Sequence, residues 1–494
     1  MSVPVKILFV TSEIHPLVKT GGLADVSHAL PLALRQAGLD VRVLVPGYPG
    51  VLSRLGKAST VCTLEALAPI WSPARLLEGQ LGDTGLPLWV VDCPSLYDRP
   101  GGPYQGPDGR DWDDNPLRFG FLCHVGAWLC SAPAPLPWSP DVVHCNDWQA
   151  GLIPALLRHH QGPPVPSVMT IHNLAFQGNF DPLWVTRLGL PMESFHMHGL
   201  EFHGRLSFLK AGINYADRIT TVSPRYAEEI QTPEMGCGLD GLLRHRQAEL
   251  AGILNGIDES WNPACDPALP AAFDAQRLAA GKRRNKTTLQ QDCGLAKDPD
   301  VPLLGLVSRL TYQKGIDLLL DTLPALMEHP LQLIVLGSGE ADMESRLREV
   351  ADTYPGRVSV TLAFDEPLSH RIIAGSDLFL MPSRFEPCGL AQMYAMRYGT
   401  PPVVCETGGL ADTVVDCTEG TLGERRATGF TFRNATPEAF KAAVQRALST
   451  YEMRTIWRQL QKTGMRRDFS WKQPAADYAG IYHTLSTRAQ TPQS

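Results

Sequence analysis

Short apolar runs that end in polar residues alternate along this chain with stretches whose apolar positions recur every three or four residues. Lys6 to Glu13 (KILFVTSE) has the first form and predicts a buried parallel strand. Leu23, Val26, Leu30, Ala33, Leu34 and Ala37 then follow helical spacing, with Gly38 placed to end the helix. Val41 to Val45 is the next strand, so the chain opens as a βαβ unit. Ser53 to Gly85 shows no clear period and reads as irregular. Leu88 to Asp92, Asp141 to Cys145, Val168 to Ile171, Arg218 to Val222 and Ile253-Leu254 read as further strands, and Asn146-Asp147-Trp148-Gln149 leads into a helix. Pro94 to Asn115 is dense in Gly, Pro, Asp, Tyr and Trp and too long to be only a connector. It is either a functional surface loop or a poorly ordered one, and its aromatics favour the first.

A boundary is expected near Gly256-Ile257-Asp258, before the Pro- and Ala-rich Asn262 to Pro270. A second alternation follows: strands at Leu303 to Val307, Leu331 to Leu336, Val358 to Leu362, Leu378 to Met381 and Val403 to Cys405, with helices between, among them Gly315 to Met327. The expected domains are 1–255, 256–470 and a closing segment 471–494. The fold class is α/β: two Rossmann-like domains, each a parallel sheet covered by helices on both faces. Ligands of such sheets bind beyond the C-terminal strand ends, and a cleft between two such domains is the expected site.

One hexapeptide occurs twice, as Thr20-Gly21-Gly22-Leu23-Ala24-Asp25 and Thr407-Gly408-Gly409-Leu410-Ala411-Asp412. Each copy follows an apolar run and opens a helical pattern. A Gly-Gly pair there either lets backbone N–H groups converge on an anion or only makes a tight βα turn. Two identical copies suggest two nucleotide-fold halves facing one anionic ligand. No Gly-x-Gly-x-x-Gly opens the first domain and no Gly-x-x-x-x-Gly-Lys-Ser/Thr occurs, which weakens dinucleotide and ATPase readings. Gly337-Ser338-Gly339 is only a partial match.

Totals narrow the class further. At 494 residues the chain is too long for one core. A composition of 44% hydrophobic and 19% charged residues is that of a globular protein, and a net charge of −7 argues against nucleic acid as the main partner. The 11 cysteines contain no C-x-x-C pair, so they fit reduced thiols and give no zinc spacing. No signal segment precedes the first strand and no apolar run approaches a membrane span, so the expected location is the cytoplasm. Nothing in the chain specifies an oligomeric state.

Eight stretches, in order along nearly the whole chain, carry a resemblance. They are Lys19-Thr20-Gly21-Gly22-Leu23-Ala24-Asp25, Asn146-Asp147-Trp148, Thr170-Ile171-His172-Asn173-Leu174-Ala175, Leu254-Asn255-Gly256-Ile257-Asp258, Ser308-Arg309-Leu310-Thr311 with Gln313-Lys314-Gly315, Pro382-Ser383-Arg384-Phe385-Glu386-Pro387-Cys388-Gly389-Leu390, the second Thr-Gly-Gly-Leu-Ala-Asp, and Asp468-Phe469-Ser470-Trp471. On these residues the chain resembles bacterial glycogen synthases and the related plant starch synthases, retaining glucosyltransferases of GT-B architecture. The resemblance implies ADP-glucose as donor and the growing end of an α-1,4-glucan as acceptor, with the α configuration kept. It also implies that the last helix, roughly 473–486, returns to the N-terminal domain.

Breaking a bond to a diphosphate leaving group builds negative charge on the phosphate and positive charge on the sugar, so the site needs fixed cations and N–H donors. Arg309 and Lys314, five residues apart past a strand end, are either those cations or a solvated surface pair, and the resemblance favours the cations. It places Lys19 on the nucleotide sugar and Gly21 and Gly22 as N–H donors near the diphosphate. Asp25 is either a sugar-hydroxyl ligand or a favourable charge at a helix N-terminus. By resemblance, Glu386 bonds the glucose and steadies the charged sugar, and Gly389 and Leu390 offer N–H groups beside a site wall made by Cys388. Thr407, Gly408 and Gly409 would form a second anion-facing turn. His172 would lie beside the reacting carbon, orienting rather than acting as general base. Asp147 and Asn173 are expected at the sugar or acceptor, Phe364 against adenine, and Tyr97 holding substrate from the Gly/Pro-rich loop.

Many related transferases carry a second Glu eight residues after the first, where this chain has Tyr394. A retaining glycosidase needs two carboxylates about 5 Å apart, and only Glu386 is a good candidate. No metal or other cofactor is expected, with Arg309 and Lys314 supplying the positive charge in its place. Competing readings are a UDP-glucose or non-glucan transferase, a glucan-binding protein without activity, and a pyridoxal-phosphate phosphorylase.

Overall fold

The computed structural model describes residues 4–64, 73–131, 136–159 and 165–490. It divides into two compact units, Met1–Gly256 with Trp471–Ser494, and Ile257–Ser470. Among the described residues no helix is long and apolar enough to cross a membrane.

The first unit is built on a nine-stranded sheet. In spatial order its strands are Leu250–Gly252, Arg218–Thr221, Ser167–Ile171, Val142–Asn146, Lys6–Val10, Asp40–Pro46, Leu86–Asp92, Arg75–Leu81 and Leu55–Thr63. The first seven are parallel and the last two antiparallel. The central strands are apolar throughout because both faces are covered: every residue of Val142–Asn146 and Ser167–Ile171 is buried.

Two expectations need correction here. Part of the stretch read as irregular is the hairpin Leu55–Thr63 with Arg75–Leu81, an edge whose register slips twice and whose outer strand is rich in Ser, Thr and Lys. The strand expected at Ile253-Leu254 lies three residues earlier, at Leu250–Gly252. A small antiparallel sheet of Asn179–Phe180, Arg205–Ser207 and Glu201–Phe202 is an addition the pattern did not announce.

The second unit is a six-stranded, wholly parallel sheet in the order Val358–Thr361, Gln332–Leu336, Leu303–Val307, Leu378–Met381, Pro402–Cys405 and Phe430–Phe432. Its helices bury Leu, Ile and Met side chains against both faces, with Leu289, Ile334 and Ile372 on one and Leu319, Leu333 and Val444 on the other.

The closing helix, Lys472–Gln490, belongs to the first unit and packs on Gly22–Gln36 and Val142–Asn146. Its Tyr482 hydroxyl meets His144 Nδ1 at 2.7 Å inside the sheet. His144 Nε2 meets Thr170 Oγ1 at 2.6 Å, so the helix is fixed by a buried polar chain as well as by apolar contact.

Candidate active site

Both sheets reverse their strand order at one point, and there the loops leaving neighbouring strands diverge to leave a crevice. In the second unit the reversal lies at Leu303–Val307, between Gln332–Leu336 and Leu378–Met381. The chain past that strand turns through Tyr312–Lys314 into the helix Ile316–Leu326. Gly315 permits the turn: its φ is +68°, and a Cβ there would stand 2.1 Å from the Pro382 carbonyl oxygen. Arg384 locks the two loops together, with a two-pronged bond to Asp317 at 2.6 Å on each arm and its guanidinium over the Tyr312 ring at 3.6 Å.

That packing brings Lys314 to Glu386, Nζ to Oε2, at 2.5 Å. Ser383 Oγ donates to the same oxygen at 3.0 Å. Oε1 of this buried carboxylate has no donor among the described residues, so one oxygen is satisfied and one remains to accept. Arg309 is exposed at the strand end and pairs with no carboxylate among the described residues. Cys388 is buried, Gly389 has a φ of +68°, and Leu390 precedes the short helix Ala391–Arg397. The N–H groups of Gly389 and Leu390 have no protein acceptor among the described residues. Phe364 is 78% exposed past the end of Val358–Thr361.

The second Gly-Gly pair is explained by packing. Cβ atoms at Gly408 and Gly409 would fall 2.0 Å from the Glu386 carbonyl oxygen and 2.1 Å from that of Cys388. The Gly409 N–H donates to the carbonyls of Glu386 and Pro387, both at 3.2 Å, which corrects the expectation that it faces an anion. Thr407 begins this turn, so the pair clamps the loop that carries Glu386. Gly337 and Gly339 serve likewise, lying against Ser308 and Leu310. Tyr394 is stacked at 3.8 Å on Trp261, whose other face carries His370 at 3.6 Å, so that position is aromatic core.

In the first unit the reversal lies at Lys6–Val10, between Asp40–Pro46 and Val142–Asn146. Glu13, just beyond that strand, is buried and turns its carboxylate into the first Gly-Gly loop. It accepts from the Thr20 N–H at 2.5 Å, the Thr20 hydroxyl at 2.6 Å and the Gly21 N–H at 3.3 Å, and from the Tyr104 hydroxyl. Gly21 is therefore corrected: its N–H holds a side chain of this protein. Gly22 starts the helix Gly22–Gln36, and Lys19 pairs with Asp25 in its first turn at 2.8 Å.

Tyr97 is also corrected. It is buried at the end of the short helix Pro94–Tyr97 and donates its hydroxyl to the Arg118 carbonyl at 2.7 Å, so it is core and not a substrate contact. Buried Arg118 in turn donates to the carbonyls of Leu96 and Pro103 and to Asn115, pinning the Gly/Pro-rich loop so that Tyr104 is the aromatic it delivers.

Asp147 lies at the end of Val142–Asn146 with φ 55° and ψ −175°, a region that costs on the order of 1–3 kcal/mol for a non-glycine residue. Its carboxyl accepts from the N–H groups of His172 at 2.7 Å and Asn173 at 3.4 Å, which over-determines the conformation. Burial raises its pKa to about 7 despite those bonds. His172 Nε2 meets Asn146 Oδ1 at 3.0 Å, and Asn146 Nδ2 donates to Val10. Nε2 therefore carries the proton and Nδ1 remains an acceptor. Burial lowers the His172 pKa to about 3, so the ring is neutral at neutral pH and a poor proton acceptor. Glu13, Tyr104, Asn146 and Ser383 were missed from sequence; Glu13 and Asn146 each end or follow a central strand, the signal that could have found them.

Comparison with known proteins decides the family. Residues 6–245 match the model of the starch synthase catalytic domain and residues 290–463 that of glycosyl transferases group 1. The chain is 53% identical over 482 residues to a glycogen synthase of Nitrosospira multiformis, covering 97% of each. It belongs to the glycogen and starch synthase family. A glycogen synthase of Dechloromonas aromatica is likewise 53% identical, over 98% of this chain and 99% of its own. Among solved structures, the catalytic domain of starch synthase IV from Arabidopsis thaliana, bound to ADP and acarbose, is similar with a TM-score of 0.88 and 32% identity, covering 98% of this chain and all of that one. A sucrose-phosphate synthase from Thermosynechococcus elongatus, at 18% identity and TM-score 0.59, shares the fold. As a member of the glycogen and starch synthase family, the chain is a glycosyltransferase of GT-B architecture.

Proposed function

We propose that this enzyme transfers glucose from ADP-glucose to the non-reducing end of an α-1,4-glucan, with retention, releasing ADP. The observation that carries the reading is the Lys314–Glu386 pair beside unpaired Arg309 at the C-terminal ends of the second sheet. Arg309 grips diphosphate oxygens, and Lys314, a three-donor ammonium, bridges Glu386 and the leaving phosphate. Glu386 Oε1 accepts from a glucose hydroxyl, and its charge favours the positive sugar of the transition state. The N–H groups of Gly389 and Leu390 add donors at the diphosphate, with Cys388 and Thr407 in the wall and Phe364 against adenine. In the first unit Lys19, Gly22 and Asp25 meet the donor, His172 Nδ1 takes a sugar hydroxyl, and Asp147 and Asn173 set its position.

As the bond from C1 to the β-phosphate oxygen breaks, the acceptor hydroxyl attacks the same face and passes its proton to the departing phosphate. The bound ADP of the starch synthase IV structure supports the adenine nucleotide. The diphosphate charge is met by Arg309 and Lys314 without a metal, and no cofactor takes part. Among the described residues no group of three His, Cys, Asp or Glu side chains is placed to hold a metal ion.

Incubation with ADP-glucose and glycogen, beside a parallel reaction with UDP-glucose, tests the reading. ADP release above the no-enzyme control, and faster than UDP release, is expected. Faster turnover of UDP-glucose would overturn the donor assignment, and no release from either would overturn the reaction.

A further inference from the structure

The second unit carries a hollow of about 310 Å³ that shares no residue with the candidate active site. Arg425, Gln459, Lys462, Thr463, Arg466 and Arg467 line it. Four of the six are cations, on a protein whose net charge is −7. None of the four is paired with a carboxylate among the described residues. The acidic neighbour Glu424 is already taken by Arg426.

Five of these residues fall on one face of the helix Arg454–Met465 and its end, at spacings of three and four. The negative end of the helix dipole accounts for basic residues there. It does not account for Arg425, which arrives from a different element, the turn after Glu419–Gly423. Arg425 is a non-glycine residue at φ +56°, held by its N–H to the Leu422 carbonyl at 3.0 Å. Gln459 Nε2 donates to the same carbonyl at 2.7 Å and ties the turn to the helix.

The two neutral side chains sharpen the ligand class. Gln459 gives one of its two amide N–H groups to Leu422, and Thr463 donates its hydroxyl to the Gln459 carbonyl at 2.9 Å. Gln459 Oε1 and Thr463 Oγ1 therefore remain as acceptors beside one further Gln459 N–H. Cations ask for an oxyanion, and acceptors beside them ask for hydroxyl donors. The volume is at the small end of ligand pockets.

We propose that this hollow is a binding site for a small sugar phosphate, its phosphate held by Arg425, Lys462, Arg466 and Arg467 and its hydroxyls by Gln459 and Thr463.

Calorimetric titration of the full chain with ribose 5-phosphate, inorganic phosphate and ribose tests this. Ribose 5-phosphate should bind more tightly than phosphate, and ribose alone should not bind. The double variant R425N/R466Q should weaken ribose 5-phosphate binding at least about tenfold, the loss expected for removing charge-assisted bonds. Asn tolerates the left-handed backbone at position 425, and unchanged circular dichroism would show that the variant folds. Arg309→Ala, at an exposed position of the candidate active site, should leave this binding intact. Equal affinity of R425N/R466Q and the parent, or loss of binding in Arg309→Ala, would overturn the site. Phosphate binding as tightly as ribose 5-phosphate would overturn the sugar assignment.

Discussion

Glu13 accepts the backbone N–H of Thr20 at 2.5 Å, and so occupies with its own carboxylate the loop that a Gly-Gly pair otherwise opens to an anion. The Thr20 hydroxyl, the Gly21 N–H and the Tyr104 hydroxyl converge on the same carboxylate. Glu13 thus fixes the loop bearing Lys19 and Gly22 and joins it to the Gly/Pro-rich segment. Glu13→Ala frees four donors and releases the loop they fix, and should lower kcat/KM for ADP-glucose by roughly 10- to 100-fold, the equivalent of about 1–3 kcal/mol of lost transition-state binding. Tyr104→Phe removes one donor and should cost less. Steady-state kinetics that placed Tyr104→Phe below Glu13→Ala would contradict this order.

Lys314 and Glu386 stand or fall together. Lys314→Ala leaves a buried carboxylate without its counter-charge, which typically costs about 3–5 kcal/mol, so both thermal stability and turnover should fall. Glu386→Gln keeps a group for Ser383 to donate to and removes only the charge. Its melting temperature should stay closer to the parent's while kcat drops on the order of 100-fold or more. Thermal unfolding and initial rates on the two variants check the contrast; a Glu386→Gln enzyme of normal kcat would remove Glu386 from the chemistry.

The two identical hexapeptides show how much of this was legible. Sequence placed both turns at strand ends, because an apolar run followed by Gly-Gly and a helical period is a local signal. It could not separate their roles, because these depend on what approaches from elsewhere. The first loop is filled by Glu13, while the second meets the carbonyls of Glu386 and Cys388 so closely that no Cβ fits. Tyr97 misled for the same reason, since only the fold shows Arg118 drawing it into the core. The helix Asn115–Leu129 escaped notice because it is apolar nearly all round and has no stripe to reveal a period. The edge hairpin escaped because its outer strand buries little.

Metal removal separates the cation-based site from a metal-assisted one. If Arg309 and Lys314 supply the charge at the diphosphate, as proposed, turnover of ADP-glucose should be unchanged after dialysis against EDTA and in its presence. A loss of rate restored by added divalent cation would show that they do not suffice.

Asp147 should leave a signature in the pH dependence of stability. Its folded pKa, about 7, lies above the unfolded value of about 3.9, so it favours the fold below pH 4 and loses that contribution as pH rises through 7. His144 and His172 act in the opposite sense. Burial lowers both to about 3, so each favours the fold above its unfolded pKa of about 6.5 and loses that contribution as pH falls toward 3. Between pH 6.5 and 4 the two histidines outweigh the one aspartate, and the protein should lose stability on acidification. Asp147→Asn keeps an oxygen for the His172 and Asn173 N–H groups and removes the opposing titration. Its melting temperature should fall more steeply than the parent's between pH 6.5 and 4, and a parallel fall would show that Asp147 ionises normally.

Tyr482 provides the last test, because its hydroxyl is the partner of buried His144 Nδ1. Tyr482→Phe keeps the ring that packs with Tyr478 and removes only that bond. A buried ring nitrogen is then left unmet, at a cost of about 1–3 kcal/mol, which should appear as a lower melting temperature. Because the bond ties the closing helix to the strand Val142–Asn146, hydrogen exchange should rise first along Lys472–Gln490. A variant with unaltered stability and exchange would mean that apolar packing alone holds this helix on the first unit.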